Sequence, residues 1–74
     1  MNNLFNSSFA LAEANGFEKT FEGQYGIDFQ KDDISLSIEK SEDGTVFIKG
    51  RKRPRYFGSR IQSIEELKEF FSGL

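Results

Sequence analysis

The amino-acid sequence predicts an α+β fold, in which a small antiparallel sheet of three to four strands is flanked by an N-terminal and a C-terminal helix (α-β-β-β(-β)-α). Three observations support this prediction. Apolar residues recur at helical spacing near the start of the chain, alternate with polar residues in its middle, and follow a helix-capping motif near its end. The 74 residues suffice for one small domain, residues 1–74, in which most large apolar side chains must be buried.

The first helix is predicted over residues 4–15. Its apolar face contains Phe5, Phe9 and Ala12 at helical spacing. Three polar residues near its start are candidate N-caps: Asn3, Asn6 and Ser7. Asn15-Gly16 is a good stop, because glycine readily takes the left-handed conformation after the last turn.

The middle of the chain alternates between apolar and polar residues, which is typical of strands with one buried face. Two apolar series lie on either side of a turn at residues 30–33: Tyr25, Ile27 and Phe29 before it, and Ile34, Leu36 and Ile38 after it. Residues 17–24 fit either a helix face or a strand. The glycines at both ends of that segment favour a short strand or an extended loop.

The next turn determines which residues face one another in the sheet. A two-residue loop, Asp43-Gly44, would set Ile38 against Lys49. A three-residue loop over residues 42–44, with its glycine left-handed, sets Ile38 against Ile48 instead. Because opposed residues share a face of the sheet, the apolar pairing favours the longer loop. The resulting inner face consists of Leu36, Ile38, Val46 and Ile48.

The end of the chain predicts a fourth strand and a second helix. Pro54 is expected to break the pairing before a strand over residues 56–61. A capping box then begins the helix, since the Ser63 hydroxyl can accept from the Glu66 amide while the Glu66 side chain returns to the Ser63 amide. This helix is expected to end near residue 72, before Gly73. Four apolar residues should face the sheet: Ile64, Leu67, Phe70 and Phe71.

Charge is concentrated in one basic segment, residues 49–60. It contains six of the ten basic side chains and no acid, whereas the other 62 residues carry four lysines and twelve carboxylates, a net charge of −8. Arg51, Arg53 and Arg55 alternate, so an extended backbone would point all three guanidinium groups in one direction, with Lys52 opposite. A field of this kind selects partners of opposite charge.

The basic segment has the residue types that bind nucleic acid. Arginine donates two parallel hydrogen bonds to a phosphate, and aromatic rings such as those of Tyr56 and Phe47 can stack on bases. Phe47 is expected on the polar face of the sheet, beside two cations. The candidate site for nucleic acid or an acidic partner comprises Phe47, Lys49, Arg51, Lys52, Arg53, Arg55, Tyr56 and Arg60.

Catalytic chemistry is not expected. The chain has no histidine and no cysteine, so it lacks an imidazole base, a thiol nucleophile and the usual zinc ligands. The carboxylate pairs Asp32-Asp33 and Glu42-Asp43 fall in predicted turns, where they serve local backbone amides. Phosphate-binding glycine motifs are absent from the sequence. We expect no enzyme activity, no cofactor and no metal, and the lack of a membrane-spanning apolar run favours a cytoplasmic protein without a membrane partner.

Three functions are compatible with this pattern. The first is a small binding module whose basic arm, residues 49–60, contacts nucleic-acid phosphates. The second is a protein-interaction module or inhibitor that docks on an acidic or nucleic-acid-binding protein surface. The third is a structural domain in which the segment is a solvated loop that offsets the acidic body. The oligomeric state stays open, with a monomer favoured, although Phe5 and Phe9 could form a dimer face if the first helix swings free.

Two families share part of the predicted topology. The α-β-β-β-α order is similar to that of double-stranded-RNA-binding domains, but their last helix begins with a basic cluster, whereas residues 63–66 here are Ser-Ile-Glu-Glu. A three-stranded sheet followed by a helix also resembles the sheet-reading DNA-binding domains of some integrases. That resemblance would place five residues in the major groove: Phe47, Lys49, Arg51, Arg53 and Arg55. No signature residue of either family occurs, so both are similarities of topology.

Overall fold

In the computed structural model of the chain, which describes residues 4–74, the strands of one sheet are preceded along the chain by one helix and followed by another, as predicted. The elements are α1 (Leu4–Ala14), β1 (Glu18–Glu22), β2 (Gly26–Lys31), β3 (Ile34–Lys40), β4 (Val46–Lys52), β5 (Arg55–Ile61) and α2 (Ile64–Ser72). The five strands form an antiparallel meander in chain order. The additional strand, β1, comes from the segment whose sequence fits a strand or a loop.

Helix α1 ends as the sequence predicts. Gly16 has a φ of 88°, and the amide of Phe17 returns to the carbonyl of Ala12 at 3.0 Å. At its other end the predicted N-cap Asn3 lies outside the described residues. The two alternative N-caps, Asn6 and Ser7, are wrong because both lie inside the helix.

The face that α1 buries is rotated from the predicted one. Its buried residues are Leu4, Ser8 and Ala12, while Phe5 and Phe9 are half-buried at the margin of the core. The Ser8 hydroxyl donates to the carbonyl of Phe5 at 2.6 Å, so the one buried polar side chain of residues 4–74 is satisfied within its own turn. Phe9 still contacts the sheet, with its ring 6.0 Å from that of Phe29.

The β3–β4 register is confirmed. Ile38 pairs with Ile48, Lys40 pairs with Val46, and Gly44 in the connecting loop has a φ of 89°. The amide of residue 41 donates to the carbonyl of residue 45 at 3.1 Å, which closes the three-residue loop. All four predicted inner-face residues are buried.

Both helices cover the same face of the sheet. Its buried residues form one core with those of the helices: Ile27, Phe29, Ile34, Leu36, Ile38, Val46, Ile48 and Ile61 from the strands, with Leu4, Ala12, Phe17, Leu67 and Phe71. Tyr25 does not join them, because it precedes β2 and its side chain is 72% exposed. The opposite face is left without a helix among the described residues.

Helix α2 has the predicted bounds and half of the predicted capping box. The Glu66 amide donates to the Ser63 hydroxyl at 3.2 Å, but the Glu66 carboxylate accepts from the amide of Gln62 at 2.7 Å and not from that of Ser63. The reciprocal bond is therefore displaced by one residue. Gly73 is the C-cap, in a right-handed conformation with a φ of −83°. Leu67 and Phe71 are buried against the sheet.

We expect Gly50→Ala to lower the free energy of unfolding by about 1–3 kcal/mol, the usual effect of overpacking. A Cβ atom at Gly50 would lie 2.6 Å from the Ser35 carbonyl oxygen and 2.7 Å from Cζ of Phe57. The backbone oxygen belongs to the central ladder and cannot move aside. Urea denaturation followed by circular dichroism measures the change.

Gly58→Ala is the matched control on the next strand. The tightest contact of its Cβ atom would be with Cζ of the Phe47 ring, at 3.1 Å, and that ring can shift. We expect a change below about 1 kcal/mol, because alanine also restricts the unfolded chain more than glycine does. Equal destabilisation by both variants would contradict the assignment of the close contact to the helix-covered face.

Candidate nucleic-acid interface

The basic segment is a hairpin built into the sheet. Strands β4 and β5 pair without interruption from Val46 opposite Ile61 to Lys52 opposite Arg55, and only residues 53 and 54 form the turn. The expected break in pairing at Pro54 is wrong. In the turn, the missing N–H of proline removes no ladder hydrogen bond. The segment is therefore held at the edge of the sheet by its neighbour, and the predicted basic arm is a hairpin.

This hairpin separates the arginines that were expected on one side. Arg51 pairs with Tyr56 on the face without helices, whereas Arg55 pairs with Lys52 on the helix-covered face. Arg53 lies in the turn between the strands. The expected alignment of the three guanidinium groups is wrong because a turn, and not extended chain, connects residues 51 and 55. The major-groove arrangement suggested by the integrase topology loses Arg53 and Arg55 in the same way.

The face without helices, called the open face below, brings five of the eight candidate residues together. They are Phe47, Lys49, Arg51, Tyr56 and Arg60. Cross-strand pairing places further polar residues beside them on β2 and β3: Asp28, Gln30, Ser35, Ser37 and Glu39. The remaining candidates, Lys52, Arg53 and Arg55, lie at the end of the hairpin and on the other face.

Charge on the open face is divided between its two sides. The cations Lys49, Arg51 and Arg60 belong to β4 and β5, whereas the acids Asp28 and Glu39 belong to β2 and β3. One ion pair crosses the boundary, with 3.1 Å between Lys49 Nζ and Glu39 Oε2. Both side chains are about half exposed, so this pair contributes little to stability and can be exchanged for a ligand contact.

Four further cations of the hairpin are available to a ligand. Within residues 4–74, the side chains of Arg51, Lys52, Arg53 and Arg55 form no ion pair and no hydrogen bond. Their donors are therefore directed to solvent, where a phosphate or carboxylate can accept them without first displacing a protein partner. Arg51 lines a groove of about 630 Å³ on the open face, together with Lys49, Ser35 and Tyr56.

Lys49, Arg51 and Arg60 form a row of cations on the open face, called the basic strip below, and an aromatic ring lies at each of its ends. Tyr56 is 78% exposed, opposite Arg51. Phe47 is half-buried opposite Arg60, and its ring extends over Gly58, where a Cβ atom would come within 3.1 Å of it. The glycine therefore provides space that the Phe47 ring occupies, with no helix above it among the described residues.

Arg60 is tied to the β3–β4 loop. Its Nη1 donates to the Thr45 hydroxyl at 3.0 Å, and that hydroxyl donates to Oδ1 of Asp43 at 2.7 Å. The Thr45 amide donates to the same carboxylate oxygen at 3.0 Å. These hydrogen bonds from Thr45, with a smaller contribution from the charge of Arg60, lower the pKa of Asp43 below its ordinary value of 3.8. The loop that sets the sheet register thus also holds one cation of the open face.

Sequence reasoning missed the contribution of β1 and β2 to the open face. Phe21 is 62% exposed and pairs with Asp28, because an irregularity between Lys19 and Phe21 shifts the register of β1. No feature of the local sequence predicts that bulge. Asp28 and Gln30 could have been placed by alternation with Ile27 and Phe29, which are buried.

Other kinds of site are not found in the described part of the chain. Residues 4–74 contain no group of three or more carboxylates placed to hold a metal ion. None of the helices in that range has the length and apolar character needed to span a membrane. The carboxylate pairs Asp32-Asp33 and Glu42-Asp43 lie in turns, as expected.

Comparisons with known proteins identify no relative of this chain. The chain matches no protein-family profile, no curated protein sequence and no solved structure.

We expect the carboxylate of Asp43 to titrate below pH 3.8 in the folded protein. The pKa of Asp43 is lower in the folded than in the unfolded protein. Ionised Asp43 therefore stabilises the fold fully at pH values above the unfolded pKa, and this contribution disappears as the pH falls through the folded pKa. Carboxyl-detected NMR titration measures the midpoint directly. In Thr45→Val the midpoint should return toward the ordinary value, because the hydroxyl donor is lost; an unchanged midpoint would contradict the assigned cause.

Proposed function

We propose that this protein is a non-catalytic module that binds nucleic acid in the cytoplasm and holds its phosphates against the β4–β5 half of the open face. The observation that supports this most directly is the co-location of Lys49, Arg51 and Arg60 with two aromatic rings on a sheet face that no described helix covers. Cations supply affinity for phosphate, and exposed rings supply contacts to bases.

The acidic remainder of the chain also supports a confined site. Outside residues 49–60 the chain carries a net charge of −8, Glu39 lies beside the basic strip, and Asp28 lies one strand further away. A polyanion is attracted to the hairpin and repelled by the net negative charge of the surrounding residues. The proposal therefore requires a small footprint of about three phosphate contacts, from Lys49, Arg51 and Arg60, and a correspondingly moderate salt dependence.

We expect Lys49→Gln/Arg51→Gln to weaken nucleic-acid binding at least about tenfold and to reduce its salt dependence, since two of about three phosphate contacts are lost. Fluorescence anisotropy with labelled single-stranded and duplex oligonucleotides, at about 50 and 200 mM salt, measures both effects. For single strands, three contacts predict a slope of log K against log salt near −2, and one contact predicts a slope of about −0.7.

Lys52→Gln/Arg55→Gln is the matched control, because it removes the same charge from the same hairpin but from the helix-covered face. We expect this variant to retain most of its affinity and its salt slope. Equal losses in both double variants would show that only net charge matters and would refute a site on the open face. Binding that is absent from the unaltered protein at low salt would refute nucleic acid and leave an acidic protein surface as the partner.

A further inference from the structure

We infer that the open face takes single-stranded nucleic acid, with two splayed bases stacked on Phe47 and Tyr56 and the intervening backbone held by Lys49 and Arg51. This inference rests on the proposed function and specifies its ligand. It follows from three features of the structure: the width of the sheet, the level at which its hairpins end, and the separation of the two rings.

The sheet is too wide to enter a duplex. Four interstrand spacings of about 4.8 Å separate β1 from β5, a width of about 19 Å, whereas the major groove is about 12 Å wide. A duplex laid on the open face would also set phosphates against the acidic half, where Asp28 and Glu39 lie. Only the two strands at the basic edge are electrostatically compatible with a polyanion, and they accommodate one strand of nucleic acid.

The hairpin end cannot serve a duplex either. Ile34 pairs with Lys31 on one side and with Lys52 on the other, so the β2–β3 and β4–β5 turns end at the same level. The β2–β3 turn consists of Asp32 and Asp33. Arg53 can therefore approach a groove only together with two neighbouring carboxylates. Favourable contacts with phosphates are then expected on the open face and not at the end of the hairpin.

The spacing of the rings selects an unstacked strand. Tyr56 lies opposite Arg51, so its backbone position is four residues, about 13 Å, along the strand direction from that of Phe47. The Phe47 ring reaches to Gly58, two residues or about 7 Å from the level of Tyr56. Consecutive bases of a helical strand rise about 3.4 Å, so neighbouring stacked bases cannot contact both rings. A single strand whose bases are splayed apart can do so, as in other recognition of unpaired bases on aromatic side chains.

The region between the rings is shaped for a backbone. Midway between the backbone positions of the two aromatic residues, Gly58 on β5 has no side chain and Lys49 opposite it supplies a cation. The Phe47 ring occupies the space over the glycine, so the gap for a ligand backbone lies between that ring and Tyr56. Phosphates between two splayed bases would pass through this gap, next to Lys49 and Arg51.

The test compares three ligands of about 12 nucleotides by fluorescence anisotropy: oligothymidine, an abasic strand with the same phosphates, and a duplex. We expect oligothymidine to bind at least about tenfold more tightly than either of the other two. Tyr56→Leu and Phe47→Leu should each weaken oligothymidine binding about tenfold, the effect of losing one stacked base, and leave binding of the abasic strand unchanged.

Phe21→Leu provides the matched control, since it removes an exposed ring from the same face but on its acidic side. We expect it to bind like the unaltered chain. If Phe47→Leu loosens the fold, seen as a lowered urea midpoint, Tyr56→Leu still decides the question, because its side chain is 78% exposed.

The failures of the two proposals can be distinguished. Equal affinity for oligothymidine and the abasic strand would overturn base stacking but keep phosphate binding. Tighter binding of the duplex would overturn the preference for a single strand. No binding of any of the three ligands at low salt would overturn the proposed function itself and favour an acidic protein partner.

Discussion

The fold depends on the register between β3 and β4. Side chains alternate across a sheet, so a slip of β4 by one residue would move Ile48 to the open face and bring Phe47 and Lys49 to the helix-covered face. The loop over residues 42–44 prevents that slip, because Gly44 adopts the left-handed conformation that a three-residue connection requires. The same register that closes the core therefore decides which residues are available on the open face.

A second constraint is the size of the chain. Seventy-four residues supply one core, and both helices are used to cover one face of the sheet. The other face then has to be compatible with water, which accounts for the serines and charged residues that alternate with the buried positions of β3 and β4. The exposed or half-exposed rings of the open face, Phe21, Phe47 and Tyr56, are not required by folding, and Phe47 and Tyr56 are the two that lie beside its cations.

Local sequence was sufficient where one interaction dominates. The pairing of Ile38 with Ile48 could be predicted because burying apolar pairs outweighs any alternative pairing. The first residue of α2 could be predicted because the Ser63 cap depends on adjacent residues alone. The candidate site was harder to predict. Whether Arg55 shares a face with Arg51 depends on whether residues 53 and 54 are extended or turned, and proline is compatible with both. The β1 bulge, which exposes Phe21, is a tertiary adjustment without a local signature.

The hairpin turn has a consequence for how the charge is used. If residues 51–55 were extended, three arginines would form one row, and any polyanion, duplex or single strand, could follow it. The turn instead leaves Arg51 beside Lys49 and Arg60 on the open face, bordered by Glu39, and sends Arg55 to the other side. Fewer cations then face a ligand, but they form a strip two strands wide, in which Arg51 and Arg60 lie opposite the two aromatic residues and Lys49 lies between them. Selectivity on such a strip comes from stacking geometry and from the repulsive carboxylates beside it, and affinity from the small number of phosphate contacts that remain.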